Sequence, residues 1–406
     1  MLDVMKIRDD FPMFKNNPGL IYFDNGASTF KPEAVINAVV DFYAKHTSNV
    51  HRGDYPIAVL NDSLYDGARD VFARFLNCRP DEVAFTHNVT ASLNEIIYGV
   101  ARAFLKEGDV ILTTENEHAS NIMPWFKVQR DFGVKVEYIP TDKQGVVSLD
   151  DFRSAMHAGV KAVCVAQQTN VLAAVQPVKE MAKIAHEYGA LMIVDGAQSV
   201  PHMKTDVKDL DIDFLGFSGH KMCGPGGTGV LWGRYELLDK IDPLIYGGDM
   251  NARFYANGEI ILQEPPMKFE YGTPNIEGVI GLAAAAEYLM GIGMDEIHAY
   301  EQELGNYFRA RMAEQDNVIL YNPDSTSGVV SFNIKDVFAQ DAANYLATKG
   351  IAVRSGNHCA KILDGIIGTN STVRASLYFY NTYEEIDRFI EVVKDITVEN
   401  AVSIFF

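Results

Sequence analysis

The chain has 406 residues, of which 48% are hydrophobic and 22% are charged, the composition of an ordinary globular protein. This length predicts two lobes, each with a core of its own. No apolar stretch is long enough to cross a bilayer, and a net charge of -19 opposes binding to nucleic-acid phosphates, so we expect neither a membrane nor a nucleic-acid partner. The N-terminal residues lack the pattern of a signal or transit peptide, which favours a cytoplasmic protein.

The four cysteines are widely spaced and form no Cys-x-x-Cys pair, which predicts neither a disulfide framework nor a metal site. Cys78 and Cys164 stand among apolar neighbours and are expected to be inert. Cys359 lies in a polar segment, whereas the fourth cysteine, Cys223, stands just after Lys221.

Short apolar runs alternate with amphipathic stretches from residue 82 to residue 233, which predicts repeated βα units around a mostly parallel sheet. The predicted strands are 82–86, 109–113, 135–139, 162–166, 191–195, 214–218 and 229–232. A helix is predicted over 177–188, because proline begins it and Gly189 follows it.

The second half of the chain predicts a smaller lobe. An Asn-Gly turn indicates a β-hairpin over 254–262, and a long helical region over 276–314 is expected to break near Gly291 and Gly293. The elements that follow are predicted as a strand at 328–334, a helix at 341–349, strands at 352–355 and 373–378, and a helix at 383–394. We expect a large domain of residues 21–275 and a small domain formed by residues 1–20 with 276–406.

Two ionisable residues stand where predicted strands end. Lys221 follows the strand at 214–218, and a lysine at such a sheet edge could carry an aldehyde cofactor, although a surface lysine is the alternative. Asp195 ends the strand at 191–195 and could instead cap the next helix. Pyridoxal phosphate needs both a lysine for its aldehyde and an acid facing its pyridine nitrogen.

Phosphate-binding groups are predicted near the same edge. Thr90 begins a helix after the strand at 82–86, so it either helps to form a phosphate cup or is a plain helix cap. Ser218 and His220 could add contacts, and Thr273 could offer one from a separate loop. The glycine run at 224–229 matches Gly-x-Gly-x-x-Gly, but a strand follows it, so we interpret it as a turn and not as a dinucleotide loop.

A series of ordered motifs covers nearly the whole chain: 22–28, 51–53, 117–118, 170–172, 195–198, 218–221, 272–275, 354–359 and 374–377. In these motifs the sequence resembles the class V aminotransferase group of fold-type I pyridoxal-phosphate enzymes, and within it the SufS-type cysteine desulfurases. The resemblance implies an α/β fold with a large, mostly parallel seven-stranded sheet domain and a smaller α+β domain. It also implies a homodimer with shared active sites.

The resemblance further implies roles for individual residues. Lys221 would hold the cofactor, Asp195 would pair with the pyridine nitrogen, Gln198 would bond the phenolate oxygen and His118 would stack on the ring. Thr90, Ser218 and His220 would grip the phosphate, Thr273 would reach across from the partner subunit, and Asn170 and Arg374 would orient the substrate. Arg354 is either a further substrate ligand or a structural ion-pair partner.

Cys359 separates a desulfurase from other chemistries of this fold, although a free thiol without a role is the alternative. The hypothesis is that L-cysteine is bound, that Lys221 removes its α-proton, and that the Cys359 thiolate takes the sulfur as a persulfide and leaves L-alanine. The short segment from 359 to 374 resembles the SufS branch, which implies a SufE-like or SufU-like acceptor protein and a role in iron-sulfur cluster assembly.

Other functions remain open at this point. A selenocysteine lyase would use the same chemistry, whereas another class V lyase, an epimerase or an aminotransferase would not need Cys359. A non-catalytic scaffold or persulfide carrier is a further alternative, which the presence of Lys221 and Asp195 disfavours.

Overall fold

The computed structural model describes residues 2–403. Its N-terminal part is mainly helical, and proline occupies the first turn of two of the helices, where its missing N–H costs nothing. The elements are α1 (Val4–Asp9), α2 (Pro12–Asn16), β1 (Ile21–Tyr22), α3 (Glu33–Lys45) and α4 (Pro56–Leu76).

A seven-stranded sheet forms the centre of the larger part of the molecule. Its elements alternate as β2 (Val83–Thr86), α5 (Val89–Phe104), β3 (Val110–Thr113), α6 (Ala119–Phe132), β4 (Lys135–Tyr138), α7 (Leu149–Ala155), β5 (Val160–Ala166), α8 (Val178–Glu187), β6 (Leu191–Asp195), α9 (Val207–Leu210), β7 (Phe214–Ser218), β8 (Gly229–Gly233) and α10 (Tyr235–Leu238). The strand order is β2-β8-β7-β6-β5-β3-β4, and only β8 runs antiparallel to its neighbours. The predicted α/β class and mostly parallel sheet are confirmed.

The hairpin and the broken helix also form as predicted. The strands β9 (Asn251–Phe254) and β10 (Ile260–Leu262) pair antiparallel, and α11 (Ile276–Ile292) is separated from α12 (Met294–Ala313) by Gly293, whose φ is +105°. Such a φ is accessible to glycine and strained for other residues. No single helix among residues 2–403 is long and apolar enough to span a membrane, and the bent pair of α11 and α12 passes that test only by joint length and composition.

A four-stranded antiparallel sheet forms the centre of the smaller part. The elements are β11 (Val318–Leu320), β12 (Val329–Ile334), α13 (Ala339–Thr348), β13 (Ile351–Ala352), β14 (Arg354–Gly356), α14 (Asp364–Ile367), β15 (Thr372–Ser376), α15 (Tyr383–Lys394) and α16 (Val398–Ser403). The strand order is β11-β12-β15-β14.

The small sheet differs from the prediction in one strand and contains one strand that was not predicted. The strand predicted over 352–355 is split, because β13 pairs in parallel with β1 while β14 joins β15. The strand β11 was not predicted, and it has only three residues, which pair along one edge with β12. The division of the chain at residue 275 stays a prediction.

The topology places the ends of several strands and the starts of several helices at one edge of the large sheet. The parallel strands β5, β6 and β7 end there, and the helices that follow parallel strands begin there, as usual for ligand-binding edges of α/β sheets. The loop after β14 reaches the same edge, since the Ala119 N–H at the start of α6 donates to the Cys359 carbonyl oxygen at 2.8 Å.

Candidate active site

A cavity of about 300 Å³ opens at this edge between the two sheets. Ten of the predicted site residues line it: Thr90, His118, Asn170, Gln198, Ser218, His220, Lys221, Arg354, Cys359 and Arg374. Asp195 lies in a narrower cleft that Lys221 also lines. The structure therefore brings together residues that are spread over nearly three hundred positions of the sequence.

Lys221 ends a short 3-10 helix that follows β7 directly. The turn requires glycine at its start, since a Cβ on Gly219 would overlap with the Thr228 hydroxyl oxygen. Burial lowers the pKa of Lys221 to about 8, and the Asp195 carboxylate opposes that shift. An amine with such a pKa is partly neutral near physiological pH, and only the neutral amine is a nucleophile or a base.

Asp195 is buried at the end of β6. One of its oxygens accepts a hydrogen bond from the Ala197 N–H at 2.8 Å, and burial raises the pKa of the carboxyl group. Burial likewise raises the pKa of the neighbouring Glu117 to about 7. Buried carboxylates favour a positively charged or N–H partner, and a protonated pyridine nitrogen is such a group.

The start of α5 forms a site suited to an anion. The Asn88 side chain caps this helix by accepting from the Ala91 N–H at 3.0 Å, and the Val89 N–H donates to the Ser218 hydroxyl at 2.8 Å. The Thr90 hydroxyl lies 2.7 Å from that of Ser120, which ties together the first turns of α5 and α6. Two helix N-termini with nearby hydroxyls are a favourable place for a phosphate.

His118 caps α6 and is held as a neutral ring. Its Nδ1 accepts from the Ser120 N–H at 3.1 Å, which leaves the proton of the neutral ring on Nε2. Burial, together with the charges of Lys221 and Arg374, lowers the pKa of His118 to about 4. A neutral imidazole can stack on an aromatic ligand in this cavity without the cost of a buried charge.

Gln198 has hydrogen-bonding capacity to spare on the cavity wall. Its Nε2 donates to the Gly26 carbonyl oxygen at 2.9 Å, whereas its buried Oε1 has no partner within the described part of the chain. A buried acceptor without a partner is costly, and a ligand that donates to this oxygen would remove that cost, while the second N–H of the amide nitrogen can donate to a ligand oxygen.

Asp24 was not predicted as a site residue, yet it organises the two arginines. Arg354 donates to both of its oxygens, at 3.1 and 2.9 Å, and the Arg374 Nη2 lies 3.6 Å from one of them. Arg374 is only 3% exposed, and its Nε has no partner among residues 2–403. Burial lowers the pKa of Arg374 to about 10. The only available signal was the motif at 22–28, whose aspartate could not be linked to arginines more than 300 positions away.

Cys359 is the one exposed cysteine of the four. Both His358 and Cys359 have positive φ values, 51° and 60°, in the left-handed region that non-glycine residues rarely adopt. The backbone there is tied down, since the Cys359 N–H donates to the Asn357 side chain at 3.1 Å. As predicted, Cys164 is buried, and its thiol pKa is raised by that burial.

Thr273 is not brought to this cavity by the chain itself. It lines a separate cavity of about 90 Å³ together with His87, Glu270 and Tyr271. The expectation that it reaches the site of a partner subunit therefore stays a prediction.

Comparisons with known proteins agree with this geometry. The family model described as aminotransferase class-V matches residues 21–389. A probable cysteine desulfurase of Halalkalibacterium halodurans is 43% identical over 390 residues, which cover 95% of this chain and 96% of the relative.

Two solved structures are similar over almost their whole length. The apo structure of the cysteine desulfurase from Thermococcus onnurineus has a TM-score of 0.93 and 38% identity, covering 97% of this chain and 98% of that one. The cysteine desulfurase CsdA (S-sulfonic acid) from Escherichia coli has a TM-score of 0.91 and 32% identity, covering 100% and 99%. These similarities confirm the resemblance to the class-V aminotransferase family and to cysteine desulfurases, whereas the SufS type stays a prediction.

Proposed function

Because the chain belongs to the class-V aminotransferase family, we propose that it is a pyridoxal-phosphate-dependent cysteine desulfurase, which converts L-cysteine to L-alanine and takes up the sulfur on Cys359. The observation that carries this proposal is that Lys221, Arg374 and Cys359 line one cavity. A cofactor-bearing lysine alone would fit many reactions, and the added thiol selects sulfur transfer.

The residues of the cavity fit the cofactor. Its phosphate would lie at the start of α5, its ring beside His118, its pyridine nitrogen against Asp195 and its phenolate oxygen near Gln198. The phosphate contacts would come from Thr90, Ser218 and His220, with Thr273 supplied by the second subunit of a homodimer. When bound, pyridoxal phosphate supplies an electron sink for the α-carbon of an amino acid.

Arg374 binds the substrate carboxylate. Its guanidinium is buried beside the cavity, its Nε has no partner among the described residues, and its Nη2 lies 3.6 Å from Asp24, beyond hydrogen-bond distance, so these two nitrogens can offer a fork to two carboxylate oxygens. Arg354 is assigned the structural role, because Asp24 already occupies its fork. The Lys221 amine, with its pKa lowered to about 8, then accepts the α-proton.

Cys359 completes the reaction as the nucleophile. Its Sγ attacks the substrate sulfur, so that a sulfur–sulfur bond forms while the bond between sulfur and the substrate β-carbon breaks. The electron pair of the broken bond stays with the carbon skeleton, which is protonated to L-alanine. Cysteine and the enzyme thiol thereby become alanine and an enzyme persulfide.

The persulfide is then passed to an acceptor protein of the SufE-like or SufU-like kind, in the cytoplasm, for iron-sulfur cluster assembly. This finer proposal is supported by the tied backbone of Cys359, which is hydrogen-bonded at both its N–H and its carbonyl oxygen. Since the thiol cannot travel far, the acceptor has to come to the mouth of the cavity.

The proposal is tested by incubating the purified, cofactor-loaded protein with L-cysteine and measuring alanine together with the mass of the Cys359 peptide. We expect equal amounts of alanine and persulfide in the first turnover, and loss of both in Cys359→Ser. The matched control is Cys78→Ser, which changes a half-buried cysteine outside the cavity. Full alanine formation by Cys359→Ser would overturn the proposal, and much faster turnover of selenocysteine than of cysteine would identify a selenocysteine lyase.

A further inference from the structure

Four consecutive carbonyl oxygens after β5 accept hydrogen bonds from side chains of the smaller part of the molecule. We name residues 170–173 the strap. The pairs are Arg374 Nη1 to Asn170 O at 3.0 Å, Ser331 Oγ to Val171 O at 2.6 Å, Asn322 Nδ2 to Leu172 O at 3.2 Å and Ser325 Oγ to Ala173 O at 3.3 Å. A segment that follows a strand of the large sheet is thus bonded along its length to the other part.

The strap also packs against the chain that continues from Cys359. Val171 and Leu172 form a small hydrophobic cluster with Ala360 and Leu363, and all four are at most 2% exposed. Ala360 is the residue directly after the proposed nucleophile. Movement of the strap therefore moves the cysteine segment as well, because close-packed side chains transmit displacement.

The single residue Asn170 is bonded both to Arg374 and to the segment that carries Cys359. Its carbonyl oxygen accepts from Arg374, and its side-chain Nδ2 donates to the His358 carbonyl oxygen at 2.7 Å. His358 and Cys359 have left-handed backbone angles that need support from their surroundings. The support comes from the Asn170 side chain, which bonds the His358 carbonyl oxygen, and from the Ala119 N–H, which bonds the Cys359 carbonyl oxygen.

We propose that the strap is a positioning element of the desulfurase reaction, which sets the place of the Cys359 sulfur relative to the substrate carboxylate at Arg374. This proposal rests on the proposed function. Sulfur transfer requires the attacking and the attacked sulfur atoms to be aligned, and a misplacement of about 1 Å can cost a hundredfold in rate. Asn170 is accordingly a positioning residue as well as a lining residue of the cavity.

The test is Ser331→Ala in the cofactor-loaded protein. Ser331 does not line the cavity, and its hydroxyl bonds the Val171 carbonyl. We expect the single-turnover rate of persulfide formation at saturating L-cysteine to fall about tenfold. The cofactor absorbance and the KM for L-cysteine should stay within about twofold, and the Ala119 amide should exchange its hydrogen faster, because its acceptor Cys359 is less firmly placed.

Two further variants make the result decisive. Thr205→Ala removes a buried hydroxyl whose hydrogen bond goes to the Met203 carbonyl oxygen and to no residue of the strap or its donors, and it should leave all four readouts unchanged. Ser325→Ala removes the weakest strap bond and should slow persulfide formation by a smaller factor, which covers the case that Ser331→Ala does not fold.

An unchanged persulfide rate in both Ser331→Ala and Ser325→Ala would overturn the proposal. An equal fall in Thr205→Ala, or a loss of cofactor binding in step with the rate, would also overturn it by showing a merely structural role. Failure of the proposed function looks different, since the wild-type protein itself would then form no persulfide. The Ala119 exchange rate would still show whether the strap positions the cysteine segment.

Discussion

The floor and the rim of the cavity are held in place by different kinds of interaction. The floor consists of strand ends, with Asp195 at the end of β6 and Lys221 one short turn after β7, and the paired strands of the seven-stranded sheet fix both. The rim consists of loop residues such as Cys359, whose backbone is held by single hydrogen bonds to the Asn357 side chain and to the Ala119 N–H at the start of α6.

This difference separates two functional tasks. The floor offers a lysine and an acid, which suit one cofactor and many reactions, whereas the rim offers the thiol that decides what becomes of the substrate. Changes in the floor should therefore remove all chemistry. Changes in the rim should alter single steps and leave cofactor binding intact.

The largest effect is expected for the floor in Lys221→Ala. Alanine formation should fall at least about a thousandfold, because the variant lacks the amine that holds the cofactor and accepts the α-proton. The measurement is alanine released per minute from L-cysteine, with circular dichroism to confirm folding. Lys204→Ala, at an exposed lysine, is the control, and turnover by Lys221→Ala near that of the control would refute the assignment.

The lowered pKa of Lys221 gives a second prediction for the floor. Cofactor-free protein should bind pyridoxal phosphate about tenfold faster per pH unit up to pH 8 and reach a plateau above it, because the neutral amine then predominates. Stopped-flow absorbance measures this rate. A rate that still rises between pH 9 and pH 10 would indicate an ordinary lysine with a pKa near 10.4.

The rim is tested by Asp24→Asn. This change keeps the shape of the side chain but removes the charge that orients Arg354 and lies near Arg374, so the KM for L-cysteine should rise about tenfold with a smaller change in kcat. Steady-state kinetics separate the two constants. Asp9→Asn, at an exposed position, should change neither, and a fall in kcat alone would count against a role in substrate binding.

The smallest effect is expected away from both regions, in Thr382→Ala. Thr382 and Glu385 form a capping box at the start of α15, so the loss of the hydroxyl should lower the free energy of unfolding by about 1 kcal/mol. Urea unfolding measures this change, and kcat and KM at 25 °C should be unaltered. A clear loss of activity would contradict the expectation that this helix cap acts on stability and not on the active site.

The floor could be predicted from the sequence better than the rim for a physical reason. Local apolar runs mark where strands end, so the sequence pattern alone places Asp195 and Lys221 at one edge of a parallel sheet. The grouping of Asp24 with Arg354 depends on contacts between distant segments, and so does the strap, whose carbonyl oxygens carry no sequence signal. The three-residue strand β11 was missed because its length gives no periodicity.

The most direct test of sulfur transfer to Cys359 is to follow the sulfur of one equivalent of L-cysteine, labelled with a heavy or radioactive sulfur isotope, through a single turnover. We expect one alanine per active site and the labelled sulfur on the peptide that contains Cys359. Alanine with the label released as free sulfide from the start, or bound to the peptide that contains Cys78, would contradict the proposed role of this thiol.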